Sequence, residues 1–472
     1  MFAIDHRAPK FRAVALVAGL CLLALALRLP DLGSRSLASA EQTALAESQG
    51  LDPWADMAED EPVTAESLRR RVGVRAVARG SRFSPVHSGA LALWSRSAGT
   101  SEAALRLPSA IAGSMTVALV VWVTLLVAGL HAAAAAGLLV ALSPLHGLAS
   151  REAALGPPLL MVLVLALALA VRLDSERRSF VVAAAHGLTL GLLAIGPAAF
   201  AVAAPLQIAW LATRSERRPA AAVSALVAFA VVAVAGWSGL LRSPLAEGSD
   251  LDWAPATTVL GLLRCAGASF TRVAGLEYHL VASHARSLAP LTVLVLSLVA
   301  LGARTLSPHR RWLFLGSMVA PFAVGAFLSI VTGSVAPLQA WRMLPAVPFV
   351  AVLAGAGVAS LGRGSSRAAA GLVLLSTGGF LAVALGAPSQ EGSPTHALSR
   401  EITRCRMPAA TTSVERKLDL LSLAAWQVPG PLLLQAAPTP SANERTIRVE
   451  PLSACARGFV SGCESLPACQ PD

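Results

Sequence analysis

Charge is scarce in this sequence. Of 472 residues only 14% are Asp, Glu, Lys or Arg, against about 25% in ordinary globular domains. Lysine occurs only at Lys10 and Lys417, and Tyr278 is the single tyrosine. Hydrophobic residues make up 55% of the chain, and mean hydropathy is +0.64. This balance excludes a soluble globular protein and a disordered one, and places the chain in the membrane class. The basic excess, a net charge of +11, is almost all arginine. In a soluble protein it would suggest nucleic acid. Here the arginines lie in short loops between apolar runs, so membrane topology explains them and no nucleic-acid partner is expected.

Histidine and cysteine offer little for metal binding. Cys405, Cys455, Cys463 and Cys469 fall in a polar C-terminal tail that has no histidine after His396. Clustered tail cysteines suggest disulfides in an oxidising compartment, with the pairing open. His279 and His284 are five apart, which does not align them on a helix. Neither a metal nor a cofactor is expected.

The apolar runs are long enough to cross a membrane at 12–29, 107–129, 132–149, 157–172, 180–196, 198–213, 221–241, 288–303, 313–331, 343–361 and 368–386, about eleven helices by length and polarity. Basic clusters recur at "HRAPKFR", "RLDSERR", "TRSERR", "RTLSPHRR" and "GRGSSR". The positive-inside rule puts all five in the cytoplasm if the N-terminus is inside and the span number is odd. The tail then lies outside, in agreement with its cysteines. The first run follows Arg7, Lys10 and Arg12 and ends at Arg28, Leu29 and Pro30, so it reads as an uncleaved first helix rather than a removed signal. The expected fold is an all-α polytopic membrane protein with a membrane domain over 1–387 and an extracytoplasmic tail over 388–472. Long outer loops are expected at about 30–106, carrying interfacial helices, and at about 241–287.

The first outer loop holds Arg71, Arg75 and Arg79 at four-residue spacing after a Thr64 N-cap. Such a stripe suits a lipid-phosphate headgroup, and it equally suits an interfacial helix resting on anionic membrane lipids. In the second loop, "AEGSDLDW" and "LEYHLVASHAR" concentrate acids beside aromatics. A sugar ring and its hydroxyls, or simply solvent, would face such stretches.

Four strings, "LRLPDLGSRSL" (27–37), "GTSEAALRLPSAIAG" (99–113), "LSPLHGLASREA" (142–153) and "AWRMLPAVPFVAVLAGAGVASL" (340–361), occur in an order and spacing that resembles the GT-C class of membrane glycosyltransferases. The resemblance is to the branch of dolichyl-phosphate-mannose protein mannosyltransferases and bacterial aminoarabinose transferases. It implies an enzyme of the bacterial inner membrane that moves a sugar from a polyprenyl-phosphate donor to a lipid, glycan or protein acceptor on the outer face. A carboxylate would serve as base and cations would hold the departing phosphate.

Several positions depart from the family pattern. Alignment on "RSL" puts Ala40 where the family has the Asp of an Asp-Glu pair and keeps Glu41. Phe83, Ser84 and Pro85 stand at the "HPP" motif, with His87 close by. Glu152 is kept in the third string, while Arg151 replaces Gln and Ala154 replaces Arg. Arg342 is kept in the fourth, with Met343 in place of Tyr. The resemblance therefore implies Glu41 and Glu152 as site carboxylates, and Arg71, Arg75, His87 and Arg342 as substrate contacts. The missing acid leaves a second reading open, a catalytically inactive scaffold that binds a lipid carrier or a partner protein.

Overall fold

The computed structural model describes residues 10–30, 32–33, 41, 44–45, 48, 62–63, 85–99, 101–175, 179–238, 266, 289–332, 342–362, 367, 371, 412–414, 432–436 and 447–451. Arg71, Arg75, the second outer loop apart from Ala266, most of 368–386 and the tail cysteines lie outside these residues. The chain divides into two compact units: residues 1–30 with 107–387, and residues 31–106 with 388–472.

The first unit is helical. Its helices are α1 (Lys10–Arg28), α3 (Glu102–Ala128, which begins in the second unit), α4 (Leu130–Ala141), α5 (Pro144–Ala149), α6 (Gly156–Ser175), α7 (Phe180–Ala194), α8 (Ala198–Ala201), α9 (Ala203–Ala212), α10 (Arg218–Trp237), α11 (Ala289–Thr305), α12 (Pro308–Thr332) and α13 (Val347–Ser360). The second unit contains α2 (Pro85–Ala98). Among the described residues, five helices are long and apolar enough to span a membrane, and five shorter apolar helices accompany them. Together they cover ten of the expected runs. The run at 132–149 is broken. Helix α4 stops at Ala141, and Ser143 caps α5 by accepting from the His146 N–H at 3.4 Å, with Pro144 at the first helical position. Gly129 separates α3 from α4 in a single residue. Its φ of +86° and ψ of −176° lie in a region essentially reserved for glycine.

Small residues set the packing. In lipid, apolar side chains gain little by leaving the hydrocarbon, so helices associate where backbones can approach closely. Helix α13 carries "AGAG" and is buried over Val347–Val358 between α11 and α4. A Cβ at Gly302 would fall on the Leu353 carbonyl oxygen, one at Gly357 on the Leu298 carbonyl oxygen, and one at Gly355 would stand 2.5 Å from the Ala132 oxygen. Valine at Gly357 therefore has to push α11 and α13 apart. The expected cost is about 1–3 kcal/mol or more, visible as a lowered unfolding midpoint in detergent. Gly19→Ala is the control, since no atom lies within 4 Å of its added Cβ. An unchanged midpoint for Gly357→Val would show that the backbones are not in contact.

Helices α7 and α10 meet in the same way, through Gly187 and Gly191, a small-xxx-small pair that faces Ser224, Val227 and Val231. A buried polar network adds direction to this contact. The Ser224 hydroxyl lies 3.0 Å from both the Ala183 carbonyl and His186 Nδ1, and His186 Nε2 lies 3.1 Å from Gln207 Oε1. These contacts tie α7, α9 and α10 at one depth.

The second unit contains β structure. Strand β1 (Pro62–Val63) comes from the first loop, and β2 (Thr412–Val414), β3 (Leu432–Ala436) and β4 (Ile447–Pro451) come from the tail. They form an antiparallel sheet in the order β1-β3-β4-β2, with Val63 opposite Leu432 and Leu434 opposite Val449. Among the described residues, this small sheet is the β structure beside the helices. Its strands are short and no alternating pattern stands out from the polar background of the sequence.

Candidate active site

The site in the second unit is built around Glu41. Its side chain is buried, with 3% of the residue exposed. Both carboxylate oxygens accept from Arg106: Nε donates to Oε1 at 2.8 Å and a terminal nitrogen donates to Oε2 at 2.7 Å. This is the two-pronged geometry that a planar guanidinium makes best. The other terminal nitrogen of Arg106 donates to the Leu32 carbonyl at 2.9 Å. Two further contacts fix the same place. Trp94 Nε1 donates to the Ala104 carbonyl at 2.7 Å, and Gly33 lies so near Ala103 that an added Cβ would stand 3.2 Å from its Cβ. The first two motif strings are therefore joined by the Arg106–Leu32 bond and the Gly33–Ala103 approach, and Arg106 ties Glu41, just beyond the first string, to the same place. His87 is half-buried on α2 in the same unit.

Arg106 was not singled out in the sequence. The available signal was its isolation: one arginine in "ALRLPSAIAG", at the head of a helix with no other basic residue. Charge inside an apolar helix demands a partner.

The first unit holds the other motif residues. Arg28, with 1% of the residue exposed, donates to the Ala24 carbonyl at 2.9 Å, reaches toward the Ala141 carbonyl at 3.5 Å, and donates to His146 Nδ1 at 2.7 Å. Arginine has no acceptor, so Nδ1 accepts and this histidine is neutral with its proton on Nε2. The 3.3 Å approach of Nδ1 to the Val140 oxygen is then a contact and not a hydrogen bond. Among the described residues no carboxylate pairs with Arg28. The negative ends of α1 and α4 take that role, because Arg28 ends the first and Ala141 ends the second.

The third string folds onto this centre. Ser150 donates to the His146 carbonyl at 2.6 Å, Arg151 donates to the Pro30 carbonyl at 2.6 Å, and Ser109 donates to the Ala154 carbonyl at 3.1 Å. Gly113 fits against Ser150, and any Cβ there would displace its hydroxyl. Glu152 occupies the turn after α5 and is exposed. Arg342 is half-buried in the turn before a short 3₁₀ segment, Leu344–Ala346, that leads into α13. Of the expected site residues, Glu41 and His87 belong to one unit and Glu152 and Arg342 to the other. Among the described residues, no group of three His, Cys, Asp or Glu side chains is placed to hold a metal ion.

Residues 94–213 match the family model of dolichyl-phosphate-mannose-protein mannosyltransferases. No curated protein matches the chain by sequence. Among solved structures, ArnT from Cupriavidus metallidurans bound to undecaprenyl phosphate is similar, with a TM-score of 0.52 and 13% identity over 89% of this chain and 75% of that one. The same protein in its apo state gives a TM-score of 0.51 and 14% identity over 88% and 75%. The matched segment contains Arg106, His146 and Arg151, which fasten the motif strings together, and Glu152. With this match and a fold shared over most of its length, the chain has the architecture of the GT-C class of multi-span membrane glycosyltransferases.

Proposed function

We propose that the protein transfers a sugar from a polyprenyl-phosphate carrier to an acceptor on the extracytoplasmic face of a bacterial inner membrane. The observation that carries this reading is the shared fold with an ArnT structure that holds undecaprenyl phosphate. In the reaction an acceptor hydroxyl or amine attacks the anomeric carbon. The bond from that carbon to the phosphate oxygen breaks, the carrier phosphate leaves with the electron pair, and the acceptor proton passes to a carboxylate. Glu152 suits the last role better than Glu41, because it is exposed and within reach of an acceptor while Glu41 is buried. Glu41 then acts as a positioning residue. Arg342 would stabilise charge on the departing phosphate.

One observation favours a second reading. The position of the family Asp is Ala40, and the neighbouring acid is tied into a buried ion pair, an arrangement that also suits an inactive scaffold that binds a lipid carrier. The full chain in lipid nanodiscs, offered a panel of undecaprenyl-phosphate sugars, separates the two. Release of undecaprenyl phosphate, by transfer or by slow hydrolysis, is the expected result. Carrier binding without release supports the scaffold. Neither binding nor release would overturn both.

A further inference from the structure

Three of the basic loops end at the same place in the first unit. Asp174, from "RLDSERR" at the end of α6, is buried. Arg214, from "TRSERR", approaches its Oδ1 at 2.8 Å. Arg310, from "RTLSPHRR" at the start of α12, stands 3.5 Å from Oδ2, and His309 Nε2 is 3.8 Å from Oδ1. Arg217 donates to the Asp174 carbonyl at 2.8 Å. Trp210 backs the cluster: its ring stacks on His309 at 4.5 Å and its Nε1 donates to the His309 carbonyl at 2.9 Å.

Positive-inside topology asks only that arginines lie on one side of the membrane. It does not ask that loops far apart in sequence share one buried carboxylate. Arg214 and Arg310 against one carboxylate leave a surplus of one positive charge, held by packing rather than dispersed into water. Arg214 is 44% exposed along its side chain, and Arg310 is part-exposed, so this surplus faces outward. The 3.5 Å separation of Arg310 leaves its fork of donors unspent. Trp312, 75% exposed beside Arg311, is the kind of residue that sits at headgroup level.

We infer that this cluster binds the phosphodiester headgroup of an anionic phospholipid at the cytoplasmic ends of α6, α9 and α12. Asp174 holds the arginines in place, and Arg214 and Arg310 contact the headgroup. The inference is separate from the sugar-transfer reading and survives its failure. The test is native mass spectrometry of the full chain in detergent, titrated with phosphatidylglycerol, with phosphatidylcholine and with inorganic phosphate. The native protein is expected to retain phosphatidylglycerol in preference to phosphatidylcholine, and the variant Arg214→Gln/Arg310→Gln to lose about 25-fold of that preference. Arg214→Lys/Arg310→Lys keeps the charge and should keep part of it. Equal retention of the two lipids by the native protein, or an unchanged preference in the Gln variant, overturns the proposal. Displacement of phosphatidylglycerol by inorganic phosphate at matched concentration overturns the assignment to a lipid. Each glutamine can still offer an amide donor to the buried Asp174 carboxylate; should the double variant fail to fold, Arg214→Gln alone, which leaves Arg310 beside Asp174, is expected to lose about 5-fold of the preference, and an unchanged preference there overturns the proposal.

Discussion

Arg106→Leu is expected to lower the stability of the protein by about 3–5 kcal/mol. The reason is what the substitution leaves behind. Glu41 would remain buried with two oxygens that have lost their hydrogen-bond donors, and the Leu32 carbonyl would lose one as well. A buried carboxylate without a cation must either take a proton or drag water inward, and both routes oppose the native packing. Removing both partners differs in kind. Glu41→Leu/Arg106→Leu leaves no orphaned charge, so most of the loss should return. Thermal unfolding of the two single variants and the double in one detergent closes the cycle. A double variant no more stable than the singles would mean that the pair does not act as a unit. This result bears on function too. Loss of sugar transfer in Glu41→Ala follows from the broken pair alone, so that variant cannot identify a base.

Glu152→Gln is the sharper probe of the reaction. Proton removal by a positioned carboxylate contributes about 10²- to 10⁴-fold in rate. An amide of the same shape cannot accept that proton. Transfer should therefore fall by about that factor with kcat taking the loss, KM little changed, and the unfolding midpoint little moved because glutamine keeps the shape of an exposed side chain. Unchanged transfer would remove Glu152 from the chemistry. If Glu41 is the base after all, Glu41→Gln should show the same loss of kcat at an unmoved midpoint, which its ion pair argues against.

The membrane fold was legible because lipid permits few solutions. Every backbone group must be satisfied within the chain, so a long apolar run has to be a helix. That logic located helices such as Glu102–Ala128 and Pro308–Thr332. It did not find the break at Ser143, where a serine cap and a following proline stop α4 eight residues before the apolar pattern ends. Nor did it find the sheet, whose pairing joins Val63 to Leu432 across the length of the chain. The motif strings were visible, but their meaning was not. They read as markers of chemistry, yet Arg28, Arg106, His146 and Ser150 mainly fasten one string to another. Position in the sequence cannot separate a residue that reacts from one that holds, because both are polar groups in apolar surroundings. Only the partner does, and the partner of Glu41 lies 65 residues away.

The contact between Arg28 and His146 also has a consequence for how the chain enters the membrane. The two residues are 118 apart, which at cellular rates of synthesis is about 6–25 seconds. Through that interval the first helix carries a cation at its end with neither the imidazole nor the α4 carbonyl to receive it. A guanidinium is too costly to leave in hydrocarbon, so the helix must wait with Arg28 held at the headgroups. Settling of the first helix to its final depth is therefore coupled to the arrival of the fourth. The end of this bundle is completed by a late partner, so its insertion runs in an order that the linear sequence does not impose.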